Sequence, residues 1–487
     1  MSEKWITIDP ITRLEGHGKI QIFLDEKGEV KNSYFQVPEL RGFEKFCQGR
    51  RAEDLPIITP RICGVCPVAH HMASTKALDA AFHVEPTSAA KKLRELLYMG
   101  YYLYDHTLHF YYLGGPDFVM GPDAPVEERN VIGVIKKVGL DVAGEVIKHR
   151  AYGQKIIAMM GGKATHPTCG LPGGVSKPLT EEERQEIEKM LRSGVEFAKF
   201  TLKLFHDVVL KNTKYVDLIL SAPYTQRTYY MGLVDEKNKV NFYDGKLRVV
   251  DPSGREFAKF PASEYLDHIE ERVEEWSYVK FPYLKKVGWR GLVDGSASGV
   301  YRVAPLARLN VADGMATPLA QEEYEVMYKT LGGKPVHHTL AFHWARLVEL
   351  LYATERGLEL IADPEITSKD VRSPVGEPGE GVGVVEACRG SLFHHYKLNN
   401  EGLVEKVNLI VATVQNVPSV CMSVRDAAKG LIHGGEVNDG LLNMVEMAFR
   451  AYDPCFGCAT HFAIGQTPLE VKIFNHEGEL LKTIRRP

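Results

Sequence analysis

The chain has 487 residues, 44% of them apolar and 25% charged. This is the make-up of an ordinary globular protein, and the length alone allows two to four domains. A formal net charge of −4 excludes a surface dominated by nucleic-acid binding. With no run of eighteen apolar residues, a membrane span is excluded; Met1–Pro10 lacks the layout of a secretory signal, so the expected location is the cytoplasm.

Alternation in residues 4–8 and 18–24, turn residues from Asp25 to Gly28 and a returning segment at 30–37 predict a small N-terminal sheet. Pro56 and Pro60 predict an extended approach to Arg61-Ile62-Cys63-Gly64-Val65-Cys66-Pro67. Pro67 places Cys66 on a loop, because proline disfavours helix in the residue before it. Over 88–114, Leu93, Leu96, Leu97 and Leu103 share one helical face, and 127–160 reads as further helix. His166 to Gly174 is a loop. Thr180 with Glu183 three residues on is a capping box for a helix to about 211. Residues 238–262 predict a β-meander turning at Asp244-Gly245 and Pro252-Ser253-Gly254. Helices are expected at 264–279, 318–331 and 340–362, a loop at 373–383, a buried strand at 404–414, and a helix capped by Asn438 to about 451. Pro468 to Ile484 reads as a hairpin turning at His476-Glu477-Gly478.

Eight cysteines in a long chain without a signal point to metal or catalytic use rather than disulfides. Four of them form two pairs, Cys63-x-x-Cys66 and Cys455-x-x-Cys458. Thiolates suit soft or borderline metals, and two intervening residues let one loop chelate a single ion. The 388 residues between Cys66 and Cys455 rule against a compact zinc knuckle, so the site must join opposite ends of a large fold. Spacing alone leaves a structural and a catalytic metal both open. Asp453 and His461 beside the second pair, with Arg61 and His70 beside the first, favour redox or proton chemistry over a closed structural site.

Arg13-Leu14-Glu15-Gly16-His17, Arg41-Gly42-Phe43-Glu44, Arg61-Ile62-Cys63-Gly64-Val65-Cys66, Glu386-Ala387-Cys388-Arg389-Gly390 and Asp453-Pro454-Cys455 together resemble the ordered motifs of nickel-iron hydrogenase large subunits. The resemblance runs over essentially the whole chain. Glu275-Trp276-Ser277-Tyr278-Val279-Lys280-Phe281-Pro282 is similar to the cytoplasmic bidirectional branch, whose members are NAD-linked or heterodisulfide-reductase-linked.

The resemblance implies an α+β, predominantly α-helical fold, with a long-helix bundle core and small peripheral β-sheets in one unit spanning 1–487. Its parts would be a β-rich region at 1–60, a helical core at 61–237, the meander at 238–262, a second helical stretch at 263–461 with the second ligand motif, and an extension at 462–487 that is either trimmed on maturation, as is common in the family, or kept in this member. The implied reaction is reversible heterolytic cleavage of H2. All four thiolates would hold nickel, Cys63 and Cys455 as terminal ligands, Cys66 and Cys458 bridging to an iron that carries carbon monoxide and two cyanides. Cys455 would take the proton and Glu15 would accept it next. Arg389 would sit over the metals, held by Asp105 and Asp453. Thr413 would hydrogen-bond a cyanide and His70 a bridging sulfur. Glu44, His461 and the carbonyl of Leu409 would bind magnesium.

Each of these residues also has a plainer reading. Glu15 can pair with Arg13; Arg389 can be a structural ion pair; Thr413 can be strand packing; His70 can be a satisfied core group; Glu44 can pair with Arg41 or Lys45. Cys388 stands where many relatives have proline, and its thiol either packs or alters oxygen sensitivity. Cys47, Cys169 and Cys421 are isolated and cannot build an iron–sulfur cluster. Electrons would therefore leave through an iron–sulfur small subunit docked on an exposed apolar face, then through NAD/flavin- or ferredoxin-linked subunits or a heterodisulfide reductase. The competing classes are a non-catalytic subunit like the quinone-site subunit of complex I, and a structural zinc protein; the complete cysteine set favours catalysis.

Overall fold

The computed structural model describes residues 5–460, 469–474 and 480–486. It opens with strands β1 (Trp5–Ile8), β2 (Lys19–Leu24) and β3 (Val30–Gln36), paired antiparallel in that order. Ile20 and Ile22 on β2 are buried, as a period-two strand with one core face requires. The approach to the first cysteine pair differs from the extended segment expected. Leu55–Ile58 is a helical turn and Thr59–Ile62 a 3-10 turn. Both prolines stand in first-turn positions, where a missing N–H costs nothing and φ is preset. Cys66 is non-helical, at φ −114°, and caps helix α1 (Pro67–Ala81).

Helices α2 (Ser88–Leu108), α3 (Leu140–Gly161), α4 (Glu181–Phe205) and α5 (Phe342–Ala362) make the core. α2 packs on α3 and α5, and α4 packs on α5. Leu93, Leu96, Leu97 and Leu103 are buried, each such side chain contributing roughly 1.5–3 kcal/mol. The α2–α3 crossing is close enough to need glycine: a Cβ on Gly153 would lie 2.6 Å from the Gly100 carbonyl oxygen. Thr180 and Glu183 complete the capping box of α4. The helix expected over 127–160 is split by Gly139 into Val131–Val138 and α3.

The meander starts earlier than expected, as β4 (Tyr229–Val234), β5 (Lys246–Val250) and β6 (Glu256–Phe260). The helix expected at 264–279 is a correction. Only Tyr265–His268 is helical, and β7 (Ile269–Val273) then pairs antiparallel with β8 (Lys280–Leu284). Burial of Ile269, Phe281 and Leu284 outweighs the local helix preference. The stretch 263–461 is therefore mixed. It also holds a three-stranded antiparallel sheet of β9 (Glu380–Ala387), β10 (Gly390–Leu398) and β11 (Val404–Ile410). The strand expected to reach 414 stops at Ile410, and α6 (Ala412–Leu431) follows with Pro418 inside it. The proline masks that helix in the sequence. Pro318–Thr330 is helical as expected, and Asn438 caps α7 (Asp439–Arg450). In the tail, β12 (Leu469–Phe474) pairs antiparallel with β13 (Leu480–Arg486); the expected turn at His476-Glu477-Gly478 lies outside the described residues. Among the described residues no helix is long and apolar enough to cross a membrane.

Candidate metal centre

The two ends of the chain meet at the N-terminus of α1. Cys63 Sγ lies 3.4 Å from Cys455 Sγ, Cys66 Sγ 3.3 Å from Cys458 Sγ, and Cys455 Sγ 2.7 Å from Cys458 Sγ. All four are buried and within 4.8 Å of one another, the one such group of metal-ligating side chains among the described residues. Thiolates bound at about 2.3 Å to one ion stand roughly 3–4.6 Å apart in tetrahedral or square geometry; both distances between the two pairs fall in that range, while Cys455 and Cys458 lie closer together than it. The backbone N–H groups of Val65 and Cys66 donate to Cys63 Sγ at 3.2 and 3.1 Å.

The charge balance of the four points the same way. Burial pushes the Cys455 and Cys458 thiols up. Burial also raises Cys63, but hydrogen bonds from the other three cysteines outweigh it and leave Cys63 lowered. A bound cation would ionise thiols that burial otherwise raises. Beside the sulfurs is a small cavity of about 10 Å³, walled by Ala387, Leu392, Val411 and Ala412 and edged by His70, Arg389 and Thr413. The residues present therefore fit a soft-metal group with additional small ligands.

Glu15 reaches this cluster because the Arg13–Gly16 loop runs alongside Pro454–Gly457. Glu15 N donates to the Pro454 carbonyl at 3.3 Å, and Phe456 N donates to the Glu15 carbonyl at 2.9 Å. Gly16 has φ 84°, and a Cβ there would lie 2.6 Å from Gly457 N, so only glycine permits this contact. Glu15 Oε2 stands 2.9 Å from Cys455 Sγ and accepts the Gly457 N–H at 3.0 Å. Burial raises its pKa, and the neighbouring Cys63 charge raises it further. Its other side lines an open cleft with His17, Glu39 and Arg41. Arg13, its plainer partner, is engaged elsewhere: it bonds Asp117, which also meets Arg450.

Arg389 follows Cys388 in the turn from β9 to β10. Its Nη1 and Nη2 donate to the two Asp105 carboxylate oxygens at 2.8 and 3.0 Å, and Nη2 also donates to Asp453 Oδ1 at 3.1 Å. Arg389 Nε has no hydrogen-bond partner among the described residues, a buried donor that a bound polar group would satisfy. Asp453 sits at φ 59°, a left-handed conformation that aspartate tolerates better than most residues. Thr413 is not on a strand. It lies in the first turn of α6, and its Oγ1 accepts the Cys455 N–H at 3.1 Å. His70, one turn into α1, pairs through Nδ1 with His394 Nε2 at 3.1 Å. Cys388 is buried but does not line the cavity; its N–H donates to the Tyr101 hydroxyl at 3.2 Å.

Glu44 is buried, and its Oε1 accepts the Leu409 N–H at 2.9 Å. His461, the third residue of the expected magnesium site, lies outside the described residues. Arg41 and Lys45 have work of their own. Arg41 Nη1 donates to the Ile62 and Gly457 carbonyls at 2.5 and 2.8 Å, tying together the two loops that carry the cysteines. Lys45 donates to Gln48. Sequence reasoning missed this clamp, and it missed the buried Arg308. Arg308 bonds Glu349 at 2.5 and 2.7 Å, Glu386 at 2.8 Å and the Ala387 carbonyl at 2.9 Å, fixing the base of the turn that carries Arg389. The one available signal was the Glu386 of the Glu-Ala-Cys-Arg-Gly motif, a charge following the apolar run Gly381–Val385.

Residues 41–125 and 232–461 match the family model described as nickel-dependent hydrogenase, and residues 5–40 match one described as HoxL-like. The iron-sulfur subunit of an F420-non-reducing hydrogenase from Archaeoglobus profundus is 51% identical over 484 residues, covering 99% of each chain. The beta subunit of the NAD-reducing hydrogenase HoxS from Cupriavidus necator is 40% identical over 499 residues, again covering 99% of each. Among solved structures, an NAD+-reducing NiFe-hydrogenase in the H2-reduced state superposes with a TM-score of 0.89 at 35% identity, covering 94% of this chain and 99% of that one.

Proposed function

Because this chain belongs to the family of nickel-iron hydrogenase large subunits, and is as such a catalytic subunit for H2 cleavage, we propose how its residues divide that work. Cys63, Cys66, Cys455 and Cys458 would hold nickel, Cys66 and Cys458 would also serve an iron carrying carbon monoxide and cyanide, and the adjoining cavity would face those small ligands. When bound, this centre supplies the Lewis acidity and redox capacity that split H2 into protons and electrons. The observation that carries the reading is a carboxylate in contact with a cluster ligand: Glu15 Oε2 is 2.9 Å from Cys455 Sγ.

The proton passes from Cys455 Sγ to Glu15 Oε2 and then into the cleft beside His17 and Glu39. A carboxyl raised by burial accepts a proton from a thiol more readily than an exposed one would. Arg389, fixed by Asp105 and Asp453, holds a positive charge in the cavity wall without needing to reorganise. Thr413 keeps the Cys455 backbone in place, and its hydroxyl hydrogen remains available to a cyanide. The apolar wall keeps water from the sulfurs. Glu44 and Leu409, with His461, form the proposed magnesium site, and residues 462–487 are proposed to be removed on maturation.

Electrons leave through an iron–sulfur small subunit. Phe46 and Ile57 are exposed on the segment leading to Cys63, which suits an apolar docking face there. The higher identity to the F420-non-reducing relative than to the NAD-reducing one favours an F420-non-reducing complex of the heterodisulfide-reductase-linked class. Anaerobic purification of the complex tests both levels. H2-dependent reduction of a viologen dye is expected, and the copurifying chains identify the acceptor. Direct NAD reduction would replace the acceptor assignment, and no dye reduction would remove the function.

A further inference from the structure

Glu15 ends a segment that is also held three residues earlier, at Thr12. Glu446 and Arg450 are four residues apart on α7 and so share one face; they pair at 2.5 Å. Between them they take every polar group of Thr12. Its N–H donates to Glu446 Oε1 at 2.8 Å, its carbonyl accepts from Arg450 Nε at 3.2 Å, and its hydroxyl accepts from Arg450 Nη2 at 2.9 Å. Glu446 and Arg450 are buried, whereas Thr12 is exposed. The grip therefore reaches from the core out to the loop.

Arg450 in turn lies five residues before Cys455. From the grip the two segments run parallel to the bridge at which Glu15 faces Cys455. Each makes the same unusual turn on the way. Arg13, at φ 61°, and Asp453, at φ 59°, stand two residues before Glu15 and Cys455, in a left-handed conformation that residues with a side chain seldom adopt. Each is pinned by an ion pair, Arg13 by the buried Asp117 and Asp453 by the buried Arg389. Asp117 is also 3.3 Å from Arg450 Nη1, which ties the Arg13 turn to the same end of α7. Strained backbone persists only where its surroundings over-determine it, and here they fix both segments to one element. We propose that Glu446 and Arg450 are positioning residues for the proton handover: by holding Thr12 they set the 2.9 Å separation of Glu15 Oε2 from Cys455 Sγ. Neither lines the cavity beside the sulfurs; both act through Glu15. This inference rests on the proton route through Glu15.

The test takes the purified complex with Glu446→Ala or Glu446→Gln, each alone and combined with Glu15→Gln. It reads H2-dependent dye reduction, H2/D2O exchange and the infrared bands of carbon monoxide and cyanide. Misplacing a reacting group by about 1 Å costs about 10²-fold. Glu446→Ala is therefore expected to lower turnover and exchange by about 10–10²-fold, with the bands at their wild-type positions. Glu446→Gln keeps an oxygen for the Thr12 N–H and should lie between Glu446→Ala and wild type; should Glu446→Ala fail to assemble, the loss in Glu446→Gln decides. With Glu15→Gln already present, neither change should lower turnover further, because residues that act as a unit are not additive. Wild-type turnover in every single variant at Glu446 that assembles would overturn the proposal. So would an equal loss with and without Glu15, which would mean that the pair acts elsewhere, and so would shifted bands, which would mean that it supports the metals themselves. Wild-type turnover in Glu15→Gln alone would instead overturn the proton route beneath it.

Discussion

Replacing Glu15 by Gln isolates the proton handover from everything else the residue does. Glutamine has the same size and can still accept the Gly457 N–H that Glu15 accepts at 3.0 Å, but it cannot take a proton from Cys455. Positioned acid–base groups contribute roughly 10²–10⁴-fold, so turnover should fall by that factor, about 3–5 kcal/mol in barrier. Glu15→Asp withdraws the carboxylate by about 1.5 Å, from the observed 2.9 Å to beyond hydrogen-bond reach, and should lie between wild type and Gln. Stability should move the other way. The folded-state pKa of Glu15 is raised, chiefly by burial, so the ionised carboxylate opposes folding once pH exceeds its unfolded value. Glu15→Gln removes that cost, and its Tm at neutral or alkaline pH should be no lower than wild type. The assay is H2-dependent dye reduction together with H2/D2O exchange, with nickel content as the control. Wild-type turnover and exchange in Glu15→Gln would refute the route. Loss of nickel would mean that Glu15 holds the site together rather than moving protons.

Three further changes probe the supports of the site. Gly16→Ala forces a Cβ to within 2.6 Å of Gly457 N at φ 84°; it should cost about 1–3 kcal/mol by thermal denaturation and lower turnover by displacing Glu15. Glu349→Gln breaks a fully buried pair with Arg308 and should cost roughly 3–5 kcal/mol. Burial raises the Glu349 carboxyl, but the Arg308 charge outweighs it and the net shift is downward. That stabilisation is present above the unfolded pKa and lost as pH falls through the folded one, so Tm measured against pH should show wild type and variant converging in acid. Cys388→Ala should leave turnover unchanged in dye reduction, because the thiol does not line the cavity.

The centre was legible because its ligands announce themselves locally. Cys-x-x-Cys spacing and the charges around Arg389 are properties of short segments, and those segments proved to meet. What stayed hidden depends on long-range contact. Nothing near Arg41 marks it as the clamp between Ile62 and Gly457, and Arg308 finds Glu349 and Glu386 only after folding. In the fold, the long leucine-bearing helices were readable from their period. α6 was hidden by Pro418 and by the apolar run of β11 before it, and the β7–β8 hairpin by glutamates that suit a helix equally well.

The most direct measurement is X-ray absorption at the nickel edge of the anaerobically purified complex. Four sulfur neighbours at about 2.3 Å, reduced in number when Cys63 or Cys458 is replaced by Ser, are what a four-thiolate nickel centre predicts. Zinc in place of nickel, or nickel surrounded by nitrogen and oxygen, would contradict it.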